Sequence, residues 1–203
     1  MKVIMAIAAA YLLGSISFGY LAGKLLKGID VRQYGSGNAG TTNIQRTLGT
    51  VPAVVVLFLD IGKGIAAVTI AKFLSDATFV HLLAGLAAVI GHNWPLFFTF
   101  RGGRGIATTI GVFSGLAPIV VLVAVLIGAL IIAITRYVSL GSIIGAISVP
   151  ITMLILRMPG IYIIFGVVMA FMAVWRHRQN IVRLLQGTEN KLGSKVNLGN
   201  EGK

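Results

Sequence analysis

The chain has 203 residues, of which 57% are hydrophobic and 11% charged, with 17 Lys and Arg against 5 Asp and Glu for a formal charge of +12. A soluble domain carries about 25% charged residues, so the composition excludes an ordinary globular enzyme and implies an integral membrane protein. Without cysteine there is neither a disulfide framework nor a thiolate metal site, and the cationic excess must meet something anionic.

In chain order, a first span is expected over residues 3 to 23. This apolar run after Met1 and Lys2 lacks the cleavage site of a removed signal. Further spans of about 20 apolar residues are expected near 51 to 74, 78 to 99, 138 to 156 and 160 to 175. Residues 105 to 135 are too long for one ordinary span and too short for two full ones, and Gly115-Leu-Ala-Pro118 at the midpoint signals a turn. As two short helices, this stretch puts Lys24, Lys27, Arg32, Arg46, Arg101, Arg104, Arg136, Arg176, Arg178, Arg183, Lys191, Lys195 and Lys203 on one side. Only Lys2, Lys72 and Arg157 then face the other. As one helix it makes the count nearly even, seven against nine. Cytoplasmic loops are enriched in Lys and Arg, which selects the first arrangement.

The expected fold is therefore all-α: one polytopic membrane domain of seven transmembrane helices, some short, joined by cytoplasmic glycine-rich loops. The N-terminus lies outside; the C-terminus and the tail from about residue 187 are cytoplasmic. Gly19 and Gly23, Gly111 and Gly115, and Gly141 and Gly145 form small-xxx-small steps that allow close helix contact. Neither half repeats the other, which disfavours an inverted-repeat transporter.

Four polar segments stand out. After the first span, Gly35 to Asn43 combines residues that accept positive φ with hydroxyls and amides. Such a backbone can turn several N–H groups toward one anion, although a flexible linker has the same composition. It lacks the lysine of a nucleotide-binding loop, and Arg46 just beyond it favours an anion site. In the second span, Asp60 and Lys63 share a helix face and can pair. Each alone would cost about 2.5 to 3.5 kcal/mol at the bilayer centre, so they serve as a structural ion pair, as a brace for a polar wall, or as both. The third segment runs from Gly91-His92-Asn-Trp-Pro95 through Arg101-Gly-Gly-Arg104-Gly105 into the next apolar helix. Amides at a helix start bind phosphate, and two arginines add charged donors; plain membrane anchoring is the alternative. In the fourth, Arg176, Asn180 and Arg183 form one stripe with His177 beside it, Gly187-Thr-Glu-Asn-Lys191 follows, and Ser139 and Ser142 can face the same region.

Three scattered histidines and five acids supply no zinc cluster. No nucleophile elbow is present, and the residues five after His81, His92 and His177 are Leu86, Phe97 and Val182, which excludes an His-x4-Asp box. Catalysis would rest on positioning and electrostatics, acting on a substrate that carries its own leaving group.

The run Gly-Ser-Gly-Asn-Ala-Gly-Thr-Thr-Asn-Ile-Gln-Arg-Thr-Leu-Gly, the Asp60-Ile-Gly-Lys-Gly step, the Gly-His-Asn-Trp-Pro to Phe-Arg-Gly-Gly-Arg-Gly-Ile-Ala-Thr segment and the terminal Gly-Thr-Glu-Asn-Lys resemble the bacterial acyl-phosphate:glycerol-3-phosphate acyltransferases (PlsY type) over almost the whole chain. The resemblance implies an inner-membrane enzyme of phospholipid synthesis that makes lysophosphatidic acid without a cofactor. Its substrates would be acyl phosphate and glycerol 3-phosphate, its surroundings membrane lipid, with no nucleic acid; the enzyme that makes acyl phosphate is a candidate partner. It implies phosphate contacts from Ser36, Gly37, Asn38, Gly40, Thr41, Thr42 and Asn43 and from Gly102, Gly103 and Gly105. Arg46, Arg104, Ser142, His177 and Asn180 would line the glycerol 3-phosphate site, and Ser36, Arg46, Arg104, His177 and Asn180 would carry catalysis. Asp60, Lys63 and His92 would support it. One departure is Arg at 101 and 104, where the family usually has Lys; the charge remains but the fork is larger. Substrate phosphate is expected to take the hydroxyl proton, with His92 or His177 as competing bases. A transporter of an anionic metabolite is the alternative, though it would need polar motifs serving both faces.

Overall fold

In a computed structural model, the structure describes residues 1–194. Lys195 and Lys203, counted above with the cytoplasmic cations, and the end of the tail lie outside them. Among the described residues the chain forms α-helices joined by turns, with no strand.

The first predicted span is two helices, α1 (Lys2–Gly14) and α2 (Phe18–Lys27), which together form one 26-residue apolar segment. The break frees the Ile16 carbonyl, which accepts a 2.7 Å hydrogen bond from Lys63 Nζ. A short α3 (Thr41–Leu48) ends the first loop and leads at once into α4 (Thr50–Leu74). Next come α5 (Thr78–Asn93), α6 (Ile106–Leu116), α7 (Pro118–Thr135), α8 (Val138–Ile155), α9 (Gly160–Arg176) and α10 (Arg178–Leu185). The split of residues 105 to 135 is present: only Ala117 separates α6 from α7, and Pro118 opens α7, where its missing N–H has no helical partner to lose.

Among the described residues, five segments are long and apolar enough to cross a membrane, and a sixth if α9 and α10, bent by 59°, are taken together. Helix α6 has 11 residues and rises about 16 Å, roughly half a hydrocarbon core. The apolar segments follow the expected order, and seven crossings require both the bent α9–α10 pair and the short α6 to cross.

Lipid tails are as apolar as leucine, so helices in a membrane associate through close packing rather than burial from water. Glycine permits that packing at three interfaces. A Cβ at Gly64 of α4 would overlap the Thr108 carbonyl of α6, and one at Gly111 of α6 would overlap the Ile61 carbonyl of α4. The same holds between α1 and α5, where Gly14 meets Ala88 and Gly91 meets Tyr11, and between α7 and α8, where Gly128 meets Gly141. The expected steps at Gly19/Gly23, Gly111/Gly115 and Gly141/Gly145 all lie at close contacts. Between α6, α7, α8 and α9, Val112, Phe113, Val120, Met153 and Phe165 form the main apolar core, with the two phenylalanine rings edge-on at 5.4 Å.

Antiparallel neighbours bring the segments after α2, α5, α7 and α9 to one end of the bundle, where they line a common cavity. The far end of α6 is marked by Lys72 Nζ, which donates to the Gly115 carbonyl at 2.7 Å. If backbone contact holds α6 on α4, Gly111→Ala should destabilise the protein by about 1–3 kcal/mol through overpacking. Gly62→Ala, on the same helix as Gly64 but facing open space, should leave the thermal midpoint in detergent unchanged or slightly raised. Equal midpoints for the two variants would contradict the packing account.

Candidate active site

The first loop is folded by its own side chains. Asp30 caps the turn Val31–Gln33 by accepting from the Arg32 amide at 3.0 Å, and it pairs with the Arg32 guanidinium at 2.8 Å. Hydrogen bonding to Arg32 outweighs burial and holds the Asp30 carboxyl below the usual carboxylate range. Arg32 Nη1 also donates to the Phe98 and Arg101 carbonyls at 2.7 and 3.1 Å, joining the first loop to the second. Gly35 and Gly37 take positive φ, which L side chains avoid. Asn43 staples the turn: Nδ2 donates to the Val31 and Tyr34 carbonyls, and Oδ1 accepts from the Ser36 amide at 2.9 Å. Gly40 donates its N–H to Asn38 Oδ1 and caps α3. The opening amides of a helix have no acceptor within it; in α3 they belong to Thr41 and Thr42, which line the cavity. Thr41 Oγ1 is buried without a partner.

The second loop folds back on the end of α5. Gly103 donates its N–H to the His92 carbonyl at 3.1 Å, and Gly102 donates to the Asn93 carbonyl at 3.3 Å. Arg176 grips the other side, with Nη2 donating to the Gly103 carbonyl at 2.6 Å and its guanidinium 5.1 Å over the Trp94 ring. Arg104 and Gly105 then reach the cavity wall. Burial pulls the Arg104 guanidinium down to about 10, with Glu189 opposing and Arg183, Arg46 and Arg176 reinforcing, so it stays charged at neutral pH. Burial also lowers Arg46, again opposed by Glu189; its Nη2 donates to the Asn190 carbonyl at 3.3 Å.

The third wall comes from α8, the α9–α10 bend and residues 187–194. His177 Nδ1 lies 2.8 Å from the Ala173 carbonyl, an acceptor only, so Nδ1 carries the proton and Nε2 is the free edge. Glu189 is the one acid in this wall. Oε1 accepts from Ser139 Oγ at 2.9 Å and Asn180 Nδ2 at 2.6 Å, and Oε2 accepts from Arg183 Nε at 2.7 Å. Burial alone would raise the Glu189 carboxyl, but those three donors outweigh it and hold it below its usual value.

The cavity between these walls holds about 410 Å³. Ser36, Asn38, Gly40, Thr41, Thr42, Asn43, Arg46, Arg104, Gly105, Ser142 and His177 all line it, with Asp60 and His92 beneath. Five expected residues do not: Gly37, Gly102, Gly103, Asn180 and Lys63. The N–H groups of Gly102 and Gly103 are bonded to α5 carbonyls and are not free for phosphate, which corrects the expectation that the whole turn binds an anion. Asn43, although at the wall, has its amide committed to the loop backbone. Asn180 acts on Glu189. Absent from the expected site residues was Glu189, although its Gly-Thr-Glu-Asn-Lys motif was visible. Its partner Ser139 lies 50 residues away in sequence.

A second cavity of about 200 Å³ lies between α6, α7 and α8 and is walled by apolar residues such as Phe113, Val121, Ala124 and Val149. Ile106, Ile110, Ile132 and Ser142 line both cavities. A cationic, donor-rich chamber thus joins an apolar groove, an arrangement suited to an amphiphile with an anionic head.

A model of the glycerol-3-phosphate acyltransferase family matches residues 4–187. The glycerol-3-phosphate acyltransferase of Desulforamulus reducens is 50% identical over 192 residues, covering 95% of this chain and 96% of that protein. That of Shouchella clausii is 48% identical over 200 residues, covering 96% and 98%. The crystal structure of PlsY (YgiH), an integral membrane glycerol 3-phosphate acyltransferase, in its glycerol 3-phosphate form superposes with a TM-score of 0.90 at 41% identity, covering 95% of this chain and 96% of that one. Its lysophosphatidic acid form gives 0.87 at 40% identity, covering 96% and 97%. Walls, cavity and likeness agree: the chain is an integral membrane protein that belongs to the glycerol-3-phosphate acyltransferase family.

Proposed function

We propose that the protein transfers a fatty acyl group from acyl phosphate to the 1-hydroxyl of sn-glycerol 3-phosphate, releasing lysophosphatidate and inorganic phosphate. The observation that carries this reading is the junction of the cationic chamber with the apolar groove. A related structure is known in glycerol 3-phosphate and lysophosphatidic acid forms, which supports the acceptor and the product. The acyl chain lies in the groove between α6, α7 and α8, with its phosphoryl group against Ser36, Asn38 and the amides of Thr41 and Thr42. Glycerol 3-phosphate sits against Arg46, Arg104, Ser142 and His177. The site faces the cytoplasm from the inner membrane, as the distribution of basic residues favours, and the enzyme that makes acyl phosphate is a candidate neighbour.

In the reaction the hydroxyl oxygen attacks the acyl carbonyl carbon and forms the ester bond. The bond from that carbon to the phosphate oxygen breaks, and phosphate leaves with the hydroxyl proton. Acyl phosphate supplies both leaving group and proton acceptor, so the cations serve to hold two anions together and to stabilise charge that develops as the carbonyl is attacked.

The direct test incubates purified protein with acyl phosphate and glycerol 3-phosphate: lysophosphatidate and phosphate in equal amounts are expected, and no product from folded protein would refute the activity. Arg46→Ala should lower kcat/KM by about 100- to 1,000-fold by removing a charged donor. For His92→Asn and His177→Asn, residual turnover is expected; loss of all turnover with both substrates still bound would assign the proton to that histidine.

Phosphate binding needs Arg104 in its cationic form, so activity falls as pH rises through its pKa. Lysine ordinarily titrates about two units below arginine, and burial lowers both. Arg104→Lys should therefore keep activity near neutrality and lose it roughly two units earlier on the alkaline side, a difference that a kcat/KM profile against pH reads directly. Coincident alkaline limbs would remove Arg104 from phosphate binding.

A further inference from the structure

Behind the Arg104 wall stands a buried group that the chemistry above leaves unused. Asp60, Lys63 and His92 are 1%, 3% and 7% exposed. Lys63 Nζ contacts Asp60 Oδ1 at 2.8 Å and the Ile16 carbonyl at 2.7 Å, so the lysine holds the break between α1 and α2. The same Asp60 oxygen lies 3.5 Å from His92 Nδ1, and His92 Nδ1 makes no hydrogen bond of its own. The opposite edge of the imidazole meets Gly103, where an added Cβ would overlap Nε2 and stand 2.8 Å from Cε1.

Gly103 is thereby held from three directions. The His92 ring covers its Cα, the His92 carbonyl takes its N–H at 3.1 Å, and Arg176 grips its carbonyl at 2.6 Å. The next residue is Arg104. A glycine clamped this tightly transmits any shift of the imidazole to the guanidinium, and a displacement of about 1 Å at a reacting site can cost about 100-fold in rate.

We propose that Asp60 and His92 are positioning residues for acyl transfer: the carboxylate orients the imidazole, and the imidazole sets Gly103 and hence where Arg104 meets glycerol 3-phosphate. The inference rests on the acyl-transfer reading. It assigns neither residue a contact with the reacting atoms. The carboxylate acts here by its charge across 3.5 Å rather than through a hydrogen bond, favouring the proton on Nδ1 and turning Nε2 toward Gly103.

The test is a cycle of kinetics on the full-length protein in detergent, with thermal midpoints measured in parallel. Gly103→Ala should raise KM for glycerol 3-phosphate about 10- to 100-fold, because its methyl group collides with the ring. His92→Ser should raise it several-fold. The combined variant should be no worse than His92→Ser alone, since the added methyl then enters vacated space. Independent, multiplying penalties would overturn the clamp. Asp60→Asn tested with Lys63→Met, which leaves no lone buried charge, should not worsen KM further when His92→Ser is added; a further multiplied loss would remove Asp60 from the chain of action. If Gly103→Ala does not fold, His92→Ser and His92→Gln decide. A rise in KM for glycerol 3-phosphate with KM for acyl phosphate and the thermal midpoint unchanged supports positioning, whereas a fall in kcat and midpoint together refutes it. Inactive wild-type protein would instead refute the acyl-transfer reading itself.

Discussion

Helix α6 rests on α4 backbone against backbone, and the height at which it rests decides where the cavity forms. Gly64 and Gly111 remove the side chains that would otherwise separate the two helices. Because α6 has only 11 residues, its first turn begins well down the length of α4, beside Asp60 and close to the loop that opens α3. Arg104 and Gly105 enter the cavity at that point. A helix of ordinary spanning length would carry the same residues out toward water, where a guanidinium binds phosphate in competition with solvent.

The price of such a site is a cluster of cations in a partly desolvated place. Arg46, Arg104 and Arg183 all gather near one carboxylate, Glu189, which is itself held by donors from α8 and α10. Arg183 pairs with Glu189 and Lys63 pairs with Asp60, which leaves Arg46 and Arg104 as the cavity's cations outside an ion pair among the described residues. In the proposed reaction a dianionic phosphate would complete the charge balance, so that substrate would form part of the charge structure of its own site. The adjoining groove is the other half of the design. Its walls are apolar apart from Thr109 and Ser142, and Ser142 also lines the polar chamber, so in the proposed reaction one boundary would separate the acyl chain from its phosphoryl head.

Much of this was legible in the sequence wherever a rule of sidedness or of spacing applied. The break between α6 and α7 followed from the placement of arginines and from Gly115 to Pro118, and the glycine steps marked true contacts. The break at Ser15–Ser17 carries the local signals of a Gly14-Ser15 pair and a serine N-cap at Ser17, but its stability within an apolar run depends on Lys63, 47 residues away, which satisfies the freed carbonyl. Gly102 and Gly103 had the composition of a phosphate turn, yet the direction of an N–H is set by tertiary folding, here by the carbonyls of His92 and Asn93. Asn43 lines the cavity as expected, yet its amide also builds the loop through Val31, Tyr34 and Ser36, a role that composition does not reveal. Glu189 stood in a visible motif, but its importance lies in partners from other helices. Chemistry-bearing residue types were thus readable, while the division between those that face the cavity and those committed to holding its wall needed coordinates.

In the proposed reaction one chamber holds both phosphates and lets the acceptor hydroxyl meet the acyl carbon without a protein nucleophile between them. An experimental structure with glycerol 3-phosphate and a non-hydrolysable acyl phosphonate tests it most directly. The alkyl chain is expected between α6, α7 and α8, the phosphonate against Thr41 and Thr42, and the glycerol phosphate on Arg46 and Arg104. The C1 oxygen should lie within about 3.5 Å of the carbon that stands for the acyl carbonyl. Ligands in separate places, or a side-chain nucleophile interposed between those two atoms, would contradict it.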